Sequence, residues 1–313
     1  MMHQLATRTL GVVPVMFFVA LFVFCILHFA PGDPAVILAG DMASPEQVER
    51  IREALGLNKT LLSQFIDWLA RVLTGDFGTS IFSKVPVTEL IAQRLPATLS
   101  LMLLTLVFSV TVAIPIGVLA ATNHNSLADR IVTAFTTLSF SIPVFVLGYG
   151  LVYIFSTSLG LLPVQGYAPL SAGIGKHLSH LLLPALSLSS VYIAMVARIS
   201  RTTMLEALSQ DYIRTARAKG VGRRSILYVH ALKNTSLPVV TVIGLGIGML
   251  ISGAVVTESV FAIPGVGRLT IDAVARRDVP VIQGIVLMFS AMYIALNFLI
   301  DVLYVILDPR VRY

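Results

Sequence analysis

The residues with the most chemistry to offer lie in one polar segment, QDYIRTARAKGVGRRSILYVHALKNTSLP, running from Gln210 to Pro238. Tyr212, Arg214, Arg217 and Lys219 present an aromatic ring and several cations, while Ala216, Ala218 and Gly220 leave room for another protein to come close. Asp211 can cap a short helix through Lys219, and Gly220 can end it. A second helix, from about Ser225 to Lys233, is expected to lead towards a break at Pro238. This is a pattern for docking rather than catalysis. The bases could also rest on anionic lipid headgroups, whereas a soluble DNA-binding helix-turn-helix fits poorly with apolar runs on both sides.

Catalytic patterns are missing from the sequence. Without G-x-x-x-x-G-K-[ST], the chain has no phosphate loop with which to bind or hydrolyse ATP. It also lacks H-E-x-x-H and G-x-S-x-G. His177 and His180 are three residues apart without further ligands, so surface or cap chemistry is expected there rather than a metal. Cys25 is the sole cysteine and lies within an apolar run, so it has no intrachain partner. Glu258 and Asp301 are acids near or inside later apolar runs, and such groups raise the possibility of an ion-coupled secondary transporter or channel. Glu258 falls at the end of its run and Asp301 near the end of the last one, so solvation or an arginine partner is the simpler expectation.

The chain is 56% hydrophobic and 12% charged, with a mean hydropathy of +0.88, far from the roughly 25% charge of soluble domains. Six apolar runs are each near the ~20 residues that span a bilayer: about Leu10 to Ala30, Ala97 to Ala121, Ile131 to Thr157, Leu178 to Ala197, Leu237 to Val260 and Val281 to Leu307. Pro115, Pro143, Pro184 and Pro238 are expected to interrupt four of them, which suits a bundle better than isolated anchors. The first run lacks an A-x-A-like cleavage site and is expected to stay as a helix.

Six spans place both termini on one side. The connections on that side (the head, 122–130, 198–236 and the tail) carry twelve Lys/Arg against four Asp/Glu, and the opposite set carries ten against eleven when Glu258, at the outer end of its run, is counted with it. The positive side is expected to be cytoplasmic, and 198–236, with eight bases and two acids, carries most of that argument. A net charge of +6 is explained in this way without nucleic acid. Membrane lipid is the expected surroundings.

The chain divides into a head with the first span (1–30), an extracytoplasmic helical segment (31–96), a five-span core (97–307) and a tail (308–313). In the second of these, Ser44-Pro45-Glu46-Gln47 predicts a capping box and a helix to about Leu55, stopped at Gly56. A helix is predicted over Leu61 to Leu73, with Leu62, Phe65, Ile66, Leu69, Val72 and Leu73 on one face and Trp68 beside it. It could lie flat at the membrane interface, pack over the bundle mouth or receive an extracytoplasmic partner. Gly244, Gly246, Gly248 and Gly253 predict close helix packing, with a conduit wall as a compatible role.

The sequence resembles the inner-membrane permease subunits of bacterial ABC importers for dipeptides, oligopeptides, glutathione and nickel. Thr215, Ala216 and Arg217 stand at the positions of that superfamily's E-A-A triplet, Gly220 at its glycine and Leu237-Pro238 at its terminal pair. Thr215, Arg217 and Ser236 depart from the pattern. APGDPA (30–35), LGL (55–57), GDFGTS (75–80), RLPATL (94–99), QDYIRTARAKG (210–220), PGVGRL (264–269) and DPR (308–310) follow the family's order. The resemblance implies an all-α, six-helix type I ABC importer permease fold in the bacterial inner membrane. It also implies a second homologous permease, two ATPase subunits holding ATP and Mg, and a periplasmic or lipid-anchored solute-binding protein. This chain would bind no cofactor and catalyse nothing. The Tyr212 to Gly220 helix would seat in a groove on an ATPase and transmit its closure as a rigid-body switch. Peptides are the default cargo, with glutathione or nickel as alternatives.

Overall fold

The structure is a computed structural model describing residues 2–29, 34–39, 43–54 and 56–307. Its helices are α1 (Met2–Phe29), α2 (Pro34–Ala39), α3 (Pro45–Ala54), α4 (Leu61–Leu73), α5 (Val87–Thr122), α6 (Leu127–Ser141), α7 (Val144–Leu151), α8 (Ile174–Ser209), α9 (Asp211–Ala218), α10 (Arg223–Ser225), α11 (Leu232–Val260), α12 (Val266–Arg276) and α13 (Val279–Leu307). A π-helical turn over Val152–Ser158 extends α7, and another over Ile226–Ala231 joins α10 to α11. Residues 30–33, 55 and 308–310, where parts of the APGDPA, LGL and DPR motifs fall, lie outside the described residues, as does the side chain of Asp301.

Four helical stretches among the described residues are long and apolar enough to cross a membrane: Val87–Thr122, Ile174–Ser209, Arg223–Val260 and Val279–Ile300. Leu127–Ser141 and Val144–Ser158 together form a fifth, bent by 105°, and Gly11–Cys25 of α1 is a shorter apolar stretch. Of the four prolines expected to interrupt helices, only Pro143 does so. Ile142 before it is extended, at φ −93° and ψ 119°, the conformation that a following proline favours. Pro115, Pro184 and Pro238 lie inside continuous helices. Nor does 225–233 form a separate helix: it enters α11 through the π-helical turn.

The described residues form two units, one of residues 1–93 with 270–294 and one of 94–269 with 295–313. Residue 96, where the extracytoplasmic segment is expected to end, lies within α5, and the first part of α13 groups with residues 1–93.

In the first unit the predicted capping box forms. Ser44 N–H donates to Gln47 Oε1 (2.9 Å) and Gln47 N–H to Ser44 Oγ (3.3 Å), which satisfies two donors at the start of α3. Phe65 of α4 packs edge-on to Phe24 and Phe17 of α1, with ring centroids 5.2 and 5.9 Å apart. After α4, GDFGTS folds into a tight turn in which Asp76 Oδ1 accepts from Gly78 N–H (2.9 Å). Its last residue, Ser80, donates to Oδ2 of buried Asp278 (2.5 Å), and Ile81 N–H donates to Oδ1 (3.1 Å). Asp278 immediately precedes α13, so one carboxylate ties the turn to the start of that helix.

In the second unit α8 is the central helix, with 72% of its apolar window buried against 39% for α5 and 33% for the Arg223–Val260 stretch. It packs on α6, α7 and α11. Tyr192 of α8 lies across α11 at Gly246, where an added Cβ would come within 2.0 Å of its ring, and its hydroxyl donates to the Ile243 carbonyl (2.6 Å). The glycines of α11 at 244, 246 and 253 thus serve contacts within the chain, against Ile300, Tyr192 and Leu188.

Glu258 is fully buried at the end of α11 rather than solvated. Thr98 Oγ1 donates to its Oε1 (2.6 Å) and Arg268 N–H to its Oε2 (2.9 Å), while Thr98 accepts from Val266 N–H (2.8 Å). The carboxylate therefore closes the N-terminus of α12, where free N–H groups and the helix dipole favour an anion. Glu258→Ala would strand these donors in a buried site. It is expected to cost about 3 kcal/mol, read as a lower thermal midpoint of the purified chain, while Glu258→Gln retains one acceptor and loses less.

Candidate functional site

The predicted docking segment folds as a short helix pressed onto the bundle by one face. In α9, Ile213 and Ala216 are buried, three residues apart on the same side. They enter a cluster with Val118 and Ala121 from the end of α5, Met204 and Ala207 from the end of α8, and Ile226 and Ala231 from the π-helical turn. Asp211, Tyr212, Arg214, Thr215, Arg217, Ala218 and Lys219 are exposed, forming a mainly polar and cationic surface. Ala216 points the other way from what the sequence suggested. Its small side chain lets α9 approach its own bundle, and of the two alanines only Ala218 is available to a partner.

Both ends of α9 have a local explanation. Gln210, not Asp211, occupies the N-cap position and makes no side-chain cap bond. Asp211 is instead the first helical residue, where its charge suits the helix dipole, and it accepts from Arg214 Nη1 (3.3 Å). Thr215 Oγ1 donates back to the Asp211 carbonyl (3.0 Å). At the other end Gly220 has φ +76°, its N–H donates to the Arg217 carbonyl (3.0 Å), and Val221 N–H reaches the Ala216 carbonyl (3.1 Å). This is a Schellman motif, and Val221 supplies its usual apolar contact by packing on the cluster. An added Cβ at Gly220 would meet nothing within 4 Å, so the position needs glycine for its backbone conformation rather than for space. Leu237 and Pro238 lie inside α11, Leu237 half-buried and Pro238 exposed.

Beside this surface lies an ion pair that sequence reasoning missed. Arg201 of α8 grips Asp129 of α6 with two nitrogens, Nε to Oδ1 (2.5 Å) and Nη2 to Oδ2 (2.8 Å). Asn125 N–H adds a third donor to Oδ2 (3.0 Å), and His124 Nδ1 lies 3.2 Å from the same oxygen. With the Asp129 side chain only 5% exposed, the paired geometry is strong and directional. It fixes the start of α6 to α8 about two turns before the end of α8. The available signal was Ser126-x-x-Asp129, a helix start in which Asp129 N–H does donate to Ser126 Oγ (3.4 Å). The histidine pair makes local contacts: His177 Nδ1 lies 2.7 Å from the Ala168 carbonyl oxygen and His180 Nδ1 2.8 Å from that of Lys176.

Apolar spanning helices around a central α8, with a cationic helix held at one end, define a polytopic membrane component. The chain belongs to the family of binding-protein-dependent transport system inner membrane components, which matches residues 113–313, with the family's N-terminal region matching residues 1–102. It is 47% identical over 306 residues to the probable peptide ABC transporter permease protein y4tP of Sinorhizobium fredii, covering 98% of each chain. It is 41% identical over 313 residues, all of both chains, to the glutathione transport system permease protein GsiC of Salmonella choleraesuis. Among solved structures, the inward-facing MetNI methionine ABC transporter superposes with a TM-score of 0.58 at 17% identity, over 70% of this chain and 96% of that one, a likeness of fold.

Ala216→Leu is expected to overfill the cluster and lift α9, costing about 1–3 kcal/mol. Gly220→Trp puts a side chain on a residue at φ +76°, which is expected to cost about 1–2 kcal/mol at the end of α9, and should leave the subunit in the membrane while separating ATP hydrolysis from uptake. Thermal midpoints combined with paired hydrolysis and uptake assays distinguish the two effects.

Proposed function

We propose that the chain is a membrane-spanning permease subunit of an ATP-driven importer, and that it carries short peptides delivered by a solute-binding protein. The observation carrying this reading is the end-to-end 47% identity to a peptide permease. The glutathione permease relative supports the same cargo class, since glutathione is itself a short peptide. The chain forms the pathway with a second homologous permease, while two ATPase subunits bind ATP and Mg. The exposed face of α9, with Tyr212, Arg214, Arg217 and Lys219, seats on an ATPase. That end of the bundle is cytoplasmic, together with both termini, and the subunit itself is not an enzyme.

An ion-coupled transporter needs acids free to exchange their ion. Here Glu258, one of the two acids behind that reading, is held by Thr98 and the start of α12, while the side chain of Asp301, the other, lies outside the described residues. The fixed Glu258 favours the ATP-driven reading.

Reversing three charges together, Arg214→Glu, Arg217→Glu and Lys219→Glu, is expected to abolish copurification of the ATPase subunits while shifting stability by no more than about 0.5 kcal/mol per site, as exposed positions do. Retained copurification would refute the docking assignment. For the cargo, mass spectrometry of ligand released from the cognate binding protein should find short peptides. A nickel chelate alone would overturn the peptide reading.

A further inference from the structure

α4 has two apolar faces, and only one is covered by protein. At 100° per residue, Phe65, Trp68 and Val72 form a side turned to α1, where Trp68 lies 5.8 Å from the Phe24 ring. Leu62, Ile66, Leu69 and Leu73 form a second stripe, and three of these are widely exposed: Leu62 69%, Ile66 56% and Leu73 79%. Ser63, Asp67 and Arg71 gather on a third side, roughly 130° from the aliphatic stripe. The helix thus separates into an aromatic seam, an aliphatic stripe and a polar flank.

Its seat on α1 sets its depth. Phe65 touches both Phe24 and Phe17, which are about 10 Å apart along the helix axis. Both lie inside the apolar stretch Gly11–Cys25. Phe18 and Phe22 in that stretch are 66% and 65% exposed, as expected of a surface facing hydrocarbon. A helix anchored between Phe17 and Phe24 cannot stand above the membrane that this stretch occupies. Its exposed aliphatic stripe therefore continues an apolar surface already at bilayer depth, and its polar flank is turned away.

We infer that α4 is an in-plane membrane anchor whose Leu62, Ile66, Leu69 and Leu73 stripe takes phospholipid acyl chains, not the face of a protein partner. A side chain in that stripe meets hydrocarbon, and one on the polar flank meets headgroups and water. On the flank Asp67 holds Lys59 (2.7 Å). The segment between the first two spans is thereby held against the bilayer by this helix as well as by its two ends.

The test uses the assembled transporter in spheroplasts, with Cys25→Ser as background and one cysteine introduced at a time, probed with a membrane-impermeant maleimide. Leu62→Cys, Ile66→Cys and Leu73→Cys should react at least tenfold more slowly than Arg71→Cys, the factor that ~1.4 kcal/mol of burial supplies, whether or not the binding protein is present. In parallel, Trp68 is the only tryptophan, so a Trp68→Phe, Ile66→Trp double variant carries its one indole in the stripe, and the purified full chain in brominated phosphatidylcholine vesicles should lose its fluorescence relative to unbrominated vesicles. Aliphatic positions that react as fast as Arg71→Cys, or that become slow only when the binding protein is added, would overturn the inference. So would slow labelling with unquenched fluorescence from Ile66→Trp, which would mean that protein covers the stripe.

Discussion

A polar group withdrawn from water into the body of a membrane protein must find its partner within the protein, because lipid offers none. Two carboxylates show how this chain meets that requirement. Glu258 is enclosed by Thr98 and the first N–H groups of α12, and Asp278 by Ser80 and the Ile81 N–H. Each acid sits where a helix begins or ends and is satisfied by a segment far away in the chain. Within each unit, one side chain therefore closes a helix terminus and fixes a long-range contact. The Asp129 and Arg201 pair does the same between α6 and α8. Where these groups are satisfied, the helices have little freedom to change register.

What could be read in the sequence divides along the same line. The Ser44–Gln47 capping box, the limits of α4 and the stop at Gly220 were legible because their signals lie within a few residues of the structure they specify. The partners of Glu258 and Asp278 lie 160 and 198 residues away, beyond the reach of any local pattern. RLPATL, PGVGRL and GDFGTS stood out only as motifs in a familiar order. In the folded chain the first two surround Glu258 and the third holds Asp278, which gives each a physical reason to be there. Proline misled for a related reason. Residue type signals a possible break, but Pro115, Pro184 and Pro238 are carried within continuous helices, and only at Pro143 does the preceding residue leave the helical conformation.

Helix α9 shows how a surface and a core position can share one short motif. The triplet Thr215, Ala216 and Arg217 was read as a recognition pattern, yet its middle member belongs to the core and its neighbours to the surface. Ile213, Ala216 and Val221 hold α9 down on residues from α5, α8 and the π-helical turn. A push on the exposed side therefore reaches several helices at once, which is what a rigid transmission element requires.

The length of α8 also settles how far that element stands from the lipid. The predicted apolar stretch of α8 ends at Ala197, but the helix continues to Ser209, about 18 Å further at 1.5 Å per residue. Met204, against which α9 packs, is already about 10 Å along that extension. The headgroup layer on each side of a bilayer is only about 5–8 Å thick. With the hydrocarbon ending at Ala197, α8 would act as a stalk that carries Arg214, Arg217 and Lys219 past the phosphates instead of into them. On the docking proposed above, that clearance is the space the rim of an ATPase subunit would occupy beneath α9.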